Sequence, residues 1–228
     1  SEHDVDRAKM HRTLIYGKRF FHGATGQMKE LEPRMYFTKE ESELPGIVRK
    51  AGYKYFGIQA DASHSFRRMV GVEALVDFIL AQDKKNIVIV LGSYDFVKLS
   101  DRPRMTDLQG KTTQREAFRM IRDLDYLIAV DSGLMHVGLT LHIPTVCIFS
   151  IISPELRLAY YTGPHVVKAR RELSCFGCGN SHMEKCSKIA RDKPNPPCLI
   201  WEPKELYDAA VSMKKEKARV FEIGSLPI

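Results

Sequence analysis

The sequence has 228 residues, enough for one well-buried core and a small appendage. Lysine and arginine number 35 against 28 aspartates and glutamates, a formal charge of +7, but the basic residues are scattered apart from Arg67-Arg68, Lys168 to Arg171 and Lys214 to Lys217, so charge alone selects no partner. No apolar run is long enough to span a bilayer and no N-terminal segment has the basic start and apolar centre of a signal peptide, so a soluble, cytoplasmic protein without a transmembrane segment is expected.

Residues 1–45 read as a connecting helix and loop, with a helix over Asp6 to Phe21 broken by Gly23, Gly26 and Pro33. Pro45-Gly46 marks the turn into a compact domain over 46–228. Tyr55 to Gln59 reads as a strand, Val72, Leu75, Val76, Ile79 and Leu80 fall at helical spacing, and Asn86 to Gly92 is an apolar strand closed by glycine. A short strand near Asp107-Leu108 precedes a helix in which Thr113-Gln-Arg-Glu116 forms a capping box and Ala117, Met120, Ile121 and Leu124 form the buried stripe. Tyr126 to Val130 and Thr145 to Phe149 are further apolar strands, and a last helix over 203–218 carries Leu206, Ala210 and Met213, with Lys214 to Lys217 on its exposed face. This alternation predicts an α/β fold, a Rossmann-like parallel sheet with helices on both faces. Right-handed crossovers place Gly92, Asp131 and Ser150 on one edge, the edge at which such sheets bind ligands.

Between the last two strands, Asp131-Ser-Gly-Leu-Met-His136 reads as a sharp polar turn opening a short helix that Pro144 ends. Ser132 suits the N-cap and Gly133 lets a ligand approach the backbone. A helix N-terminus presented this way suits a phosphate group, each charge-assisted bond contributing about 1.5–3 kcal/mol when shielded. An aspartate beside a diphosphate repels it, so Asp131 is expected to accept from a sugar hydroxyl or to pin the amides of its own turn, with His136 on the same side. Gly92-Ser-Tyr-Asp95 ends another strand on this edge, where Asp95 suits a ribose hydroxyl.

Of five cysteines, Cys147 sits alone in an apolar strand and four cluster in a knuckle over 172–200. Cys175, Cys178, Cys186 and Cys198 have the composition of a closed thiolate site for structural zinc or a rubredoxin-like iron, the pair Cys175-Phe-Gly-Cys178 converging across a tight turn. Four thiolates leave no open position, so no catalytic metal is expected. His182 is a substitute ligand, and free or disulfide-linked cysteines are the other reading.

The unbroken Asp131 to His136 pattern, the preceding Leu108-Gln-Gly110-Lys-Thr-Thr-Gln-Arg-Glu116 and the cysteine cluster together resemble the ADP-heptose:lipopolysaccharide heptosyltransferase family, whose members have the GT-B fold. The resemblance runs from about residue 10 to about residue 215 and implies the C-terminal, donor-binding half of such an enzyme, with His11-Arg12 resembling the exit from an N-terminal domain. It implies donor contacts from Asp131, Ser132, Gly133, Leu134 and His136, from Ser63 and Arg68 in the loop after the first core strand, with Arg67 next in register, and from Lys111 and Thr112 beside the sugar. Some family members carry a metal-binding cysteine finger. The Phe/Tyr-Gly of the family is Phe149-Ser150 here, a departure that implies a changed donor.

A complete enzyme of this kind transfers an ADP-heptose or similar sugar to an acceptor hydroxyl with inversion, using a general base from the N-terminal domain. The expectation is therefore a glycosyltransferase donor-binding domain, its acceptor half missing or supplied by a partner chain. The alternative is a non-catalytic nucleotide-sugar-binding or structural module. A basic zinc-ribbon binding nucleic acid is disfavoured, because the sequence lacks interleaved aromatics.

Overall fold

The computed structural model describes residues 32–93, 97–179, 186–188, 195–215, 218–219 and 221–222. The expected helix over Asp6 to Phe21, His11-Arg12, Asp95 and His182 lie outside these residues. In chain order the elements are β1 (Tyr36–Phe37), α1 (Lys39–Ser42), β2 (Lys54–Gln59), α2 (Val72–Gln82), β3 (Asn86–Leu91), β4 (Met105–Asp107), α3 (Gln114–Ile121), β5 (Tyr126–Val130), α4 (Gly133–Thr140), β6 (Thr145–Phe149), α5 (Glu155–Leu158), β7 (His165–Ala169), α6 (Pro203–Val211) and β8 (Phe221–Glu222). Short 3₁₀ turns lie at Ser65–Arg67 and Pro197–Leu199. No helix among the described residues is long and apolar enough to cross a membrane.

Six strands form one sheet in the order β4-β3-β2-β5-β6-β7, every neighbouring pair parallel. Counted from β2 this is the 3-2-1-4-5-6 order of a doubly wound dinucleotide-type sheet, and the order reverses between β2 and β5. Parallel strands covered on both faces must be apolar on both faces, and these are. Phe56, Ile58, Val88, Val90, Ile128, Val130, Val146 and Ile148 pack under α2 and α6. Their alternates Tyr55, Ile89, Leu91, Leu127, Ala129, Cys147 and Phe149 pack under α3 and α4. The five α2 residues picked out by spacing are all buried, and the Thr113/Glu116 capping box forms in both directions. Helix α4 seats directly on β5 because Gly138 faces the sheet: a Cβ there would stand 2.5 Å from Leu127 Cδ2 and 2.9 Å from Thr145 Oγ1.

Three expectations change. Residues 32–45 are no mere connector, since Phe37 is fully buried in the core beside α3 and β1 pairs with β8, the two ends of the described chain. The last helix ends at Val211 rather than 218, where the Ser212 hydroxyl donates to Ala209 O at 2.8 Å and Lys215 turns to the Asp125 carboxylate instead of lying on a solvated helix face. The sheet also gains an edge strand, β7, whose mixed sequence is only half-buried at all five positions.

Asp125 clamps the central pair of strands. Its N–H donates to Tyr55 O at 2.9 Å, its carboxylate accepts from Tyr55 N–H at 2.8 Å, and the same carboxylate takes Arg49 Nη2 at 2.7 Å and the Lys215 ammonium. Burial alone would raise its pKa, but Lys215, the Tyr55 N–H and Arg49 together hold it below the usual carboxylate range. Asp125→Ala is expected to lower stability by about 2–3 kcal/mol at neutral pH, by stranding a buried N–H and two cations. A depressed pKa stabilises fully above the unfolded-state value of about 3.9 and is lost as the pH falls through the folded value, so the gap between wild type and variant in urea unfolding should close below about pH 4.

Candidate functional site

The sheet topology opens a cavity of about 650 Å³ at the carboxyl edge, where the strand order reverses. The end of β2 and the following loop supply Gln59, Asp61, Ser63, Arg67 and Arg68. The turn after β5 supplies Asp131, Ser132, Gly133, Leu134 and His136, while Ser93, Gln114, Phe118 and Arg157 close the remaining wall. Three guanidiniums thus face two carboxylates across the opening, a balance that attracts an anion.

The turn is built from the strand outward. Asp131 N–H donates to Ile148 O at 3.1 Å, keeping the turn in register with β6. Ser132 occupies the N-cap position of α4 with extended backbone, yet its hydroxyl makes no cap; it donates instead to Gln59 Oε1 at 2.6 Å. A helix start has N–H groups without intrahelical partners, and with the usual capping oxygen diverted they are left to the cavity side. A Cβ on Gly133 would meet nothing within 4 Å, so this position projects into open space. His136 stacks on Tyr161, centroids 5.5 Å apart, and burial raises the Tyr161 phenol to about 12.

Asp131 is itself buried and is held by cations. Arg67 Nη1 donates to its carbonyl at 3.1 Å and stands 3.4 Å from its carboxylate; Arg157 Nε is at 3.5 Å and His136 Nε2 at 3.9 Å. The carboxylate therefore faces two guanidiniums instead of the amides of its own turn. Arg67, not Arg68, spans the opening to this turn, anchored by Ser63 Oγ at 2.7 Å; Arg68 lines the wall with its Nε on Ala62 O at 3.1 Å.

Not every expected residue converges here. Lys111 donates to Asp107 O at 2.9 Å and, with Thr112, stays out of the cavity wall, to which the neighbouring helix contributes Gln114 and Phe118. Ser150 turns away: its hydroxyl donates to Phe66 O, so the loss of the glycine at this position does not obstruct the cavity. Sequence reading missed Gln59, Asp61 and Arg157. Gln59 is a polar residue ending an apolar strand and Asp61 follows two positions on, a signal that was available, whereas Arg157 follows the Ser153-Pro154 turn with no local pattern to mark it.

Ser150 instead lines a second cavity of about 20 Å³, room for about one water-sized occupant, together with Cys175, Cys178, Cys186 and Cys198. Burial first, then the three neighbouring cysteines, push the Cys198 thiol up to about 11. The donor chemistry suits a thiolate metal site, but the knuckle expected from the sequence is not shown: among the described residues no three His, Cys, Asp or Glu side chains gather closely enough to hold an ion, and none of the four cysteines is in a disulfide. Cys147 is a separate case, a fully buried core thiol raised far above the usual range by desolvation.

Residues 80–185 match the model of glycosyltransferase family 9 (heptosyltransferase). The resemblance read from the Asp131 to His136 turn thus holds over the segment that contains it. Among solved structures, the fold is similar to the iron-containing dodecameric glycosyltransferase TibC of enterotoxigenic E. coli H10407, at 17% identity and TM-score 0.51 over 74% of this chain and 48% of that one. It is similar to E. coli ADP-heptose LPS heptosyltransferase II, at 16% identity and TM-score 0.50 over 80% and 54%. A family 9 glycosyltransferase from Veillonella parvula DSM 2008 matches at 17% and 0.52 over 70% and 45%. The chain spans about half the length of these proteins. No curated protein matches the sequence.

Removing the Asp131 carboxylate should leave Arg67 and Arg157 facing each other without their shared anion. Asp131→Ala is expected to cost about 2–3 kcal/mol in urea unfolding, and adding Arg157→Met should recover at least about 1 kcal/mol; additive losses would show that the two groups do not interact.

Proposed function

We propose that this domain is the donor-binding half of a glycosyltransferase, holding an ADP-heptose-like nucleotide sugar for inverting transfer to an acceptor hydroxyl. The observation that carries the reading is the uncapped start of α4, opened by Ser132 and Gly133 onto a large cavity at the strand-order reversal, with Arg67 and Arg68 facing it. A diphosphate there takes the α4 N–H groups and the field of the guanidiniums, which also stabilise the charge that develops on a departing nucleoside diphosphate. The acceptor site and general base come from an N-terminal half or a partner chain beyond the described residues. The family 9 match and the half-length correspondence to solved glycosyltransferases support this division.

Calorimetric titration with ADP tests the site. Gly133→Val should weaken binding by about 30-fold, close to 2 kcal/mol, while leaving the melting temperature near wild type because the added methyls enter open space. Arg67→Ala should weaken it in a way that fades at high salt. Unchanged affinity in a folded Gly133→Val protein excludes the turn as the phosphate site.

We further propose that Cys175, Cys178, Cys186 and Cys198 close on one structural metal ion, zinc or iron, drawn together by the ion itself. Support comes from their sharing one small cavity. The similar fold of TibC belongs to a protein described as iron-containing. Protein purified without added metal should contain close to one equivalent of zinc plus iron per chain, and chelation should lower its melting temperature; less than about a tenth of an equivalent removes the proposal.

A further inference from the structure

The second carboxylate of the cavity, Asp61, differs from Asp131 in every respect that matters for a ligand. Asp61 lies two residues beyond the end of β2, with only 7% of its surface exposed. Its carboxylate accepts from Gln59 Nε2 at 2.7 Å, and among the described residues no cation pairs with it, whereas Asp131 has two guanidiniums. A buried carboxylate offers about four acceptor positions and is costly to bury when few are used. The remaining capacity of Asp61 faces the cavity it lines. Gly92 lies against it, since a Cβ there would stand 3.4 Å from the Asp61 carboxylate.

Asp61 is also fixed in place. Gln59, 1% exposed, donates its amide to the carboxylate and carbonyl of Asp61 while its Oε1 accepts from Ser132 Oγ at 2.6 Å. The same hydroxyl that leaves the α4 start uncapped therefore sets, through Gln59, the position of Asp61. A fixed acceptor with unused capacity repels phosphate and suits neutral donors, above all the paired hydroxyls of a sugar ring.

We infer that Asp61 recognises a vicinal diol of the bound nucleotide sugar, in its ribose or in its transferred sugar, and that the Ser132–Gln59–Asp61 chain holds this acceptor in register with the phosphate-binding turn. The inference rests on the nucleotide-binding reading above. Titration of wild type and Asp61→Ala with pyrophosphate, ADP, 2′,3′-dideoxy-ADP and ADP-glucose tests it, with Asp61→Asn as the folded alternative. Wild type should bind ADP-glucose at least about tenfold more tightly than Asp61→Ala does, the loss of one charge-assisted bond, with pyrophosphate unaffected. A loss shared by ADP but absent for dideoxy-ADP assigns the ribose diol; a loss confined to ADP-glucose assigns the sugar diol. Because no cation stabilises the carboxylate, Asp61→Asn should melt at or above the wild-type temperature. ADP-glucose and ADP affinities within twofold of wild type, with binding still sensitive to Gly133→Val, would overturn the role of Asp61 alone. Equal loss for pyrophosphate would make Asp61 structural and also overturn it. Absence of all nucleotide binding by wild type would overturn the parent reading with it.

Discussion

Pairing of β2 with β5 is the constraint on which the rest depends. These strands are far apart in sequence yet adjacent in the sheet, and the reversal of strand order between them leaves a crevice that no crossover helix covers. Asp125 secures the pair from the amino end, binding both backbone groups of Tyr55, while Ser132 and Gln59 join the same two strands at the carboxyl end. The crevice therefore has walls fixed at both ends of a rigid ribbon. Gln59 and the Asp131 to His136 turn are positioned by that ribbon or by the first turn beyond it, which is how a loop site acquires the precision of a sheet.

Much of this was legible in the sequence for a simple reason. Strands buried on both faces read as unbroken apolar runs, so β2, β3, β5 and β6 announce themselves, and the spacing of Val72 to Leu80 reports the one face of α2 that meets the sheet. Glycine and capping residues carried the turns. Edge strand β7 was invisible because half-burial at all five positions leaves no pattern to read. The long C-terminal helix was overdrawn because lysines suit a solvated helix face equally well, and only the folded chain reveals the buried Asp125 that draws Lys215 elsewhere.

In the site, the sequence marked the turn but not its electrical wiring. Asp131 looked like a ligand acceptor because the identity of a carboxylate says nothing about which cations lie opposite it, and Arg67 and Arg157 come from two other segments of the chain. Conversely, Asp61 was passed over because it follows a strand without belonging to a motif. The two carboxylates differ in their partners: Asp131 stands beside two guanidiniums, while Asp61 accepts from the Gln59 amide, and both line the cavity. The cysteines show the opposite limit. Their spacing suggests a thiolate donor set, yet among the described residues no three such side chains gather closely enough to hold an ion.

The position of β2 in the middle of the sheet has a consequence for biosynthesis. The chain emerges from the ribosome in order, so β2 can pair with β3 soon after synthesis, but its other hydrogen-bonding edge must wait for Tyr126–Val130 to follow. During that interval the nascent chain presents an apolar strand with an unfilled edge, the kind of surface that recruits chaperones or neighbouring nascent chains. Closure of this edge also brings together the β2 and β5 walls of the crevice, so the site begins to form only as this edge of β2 is covered.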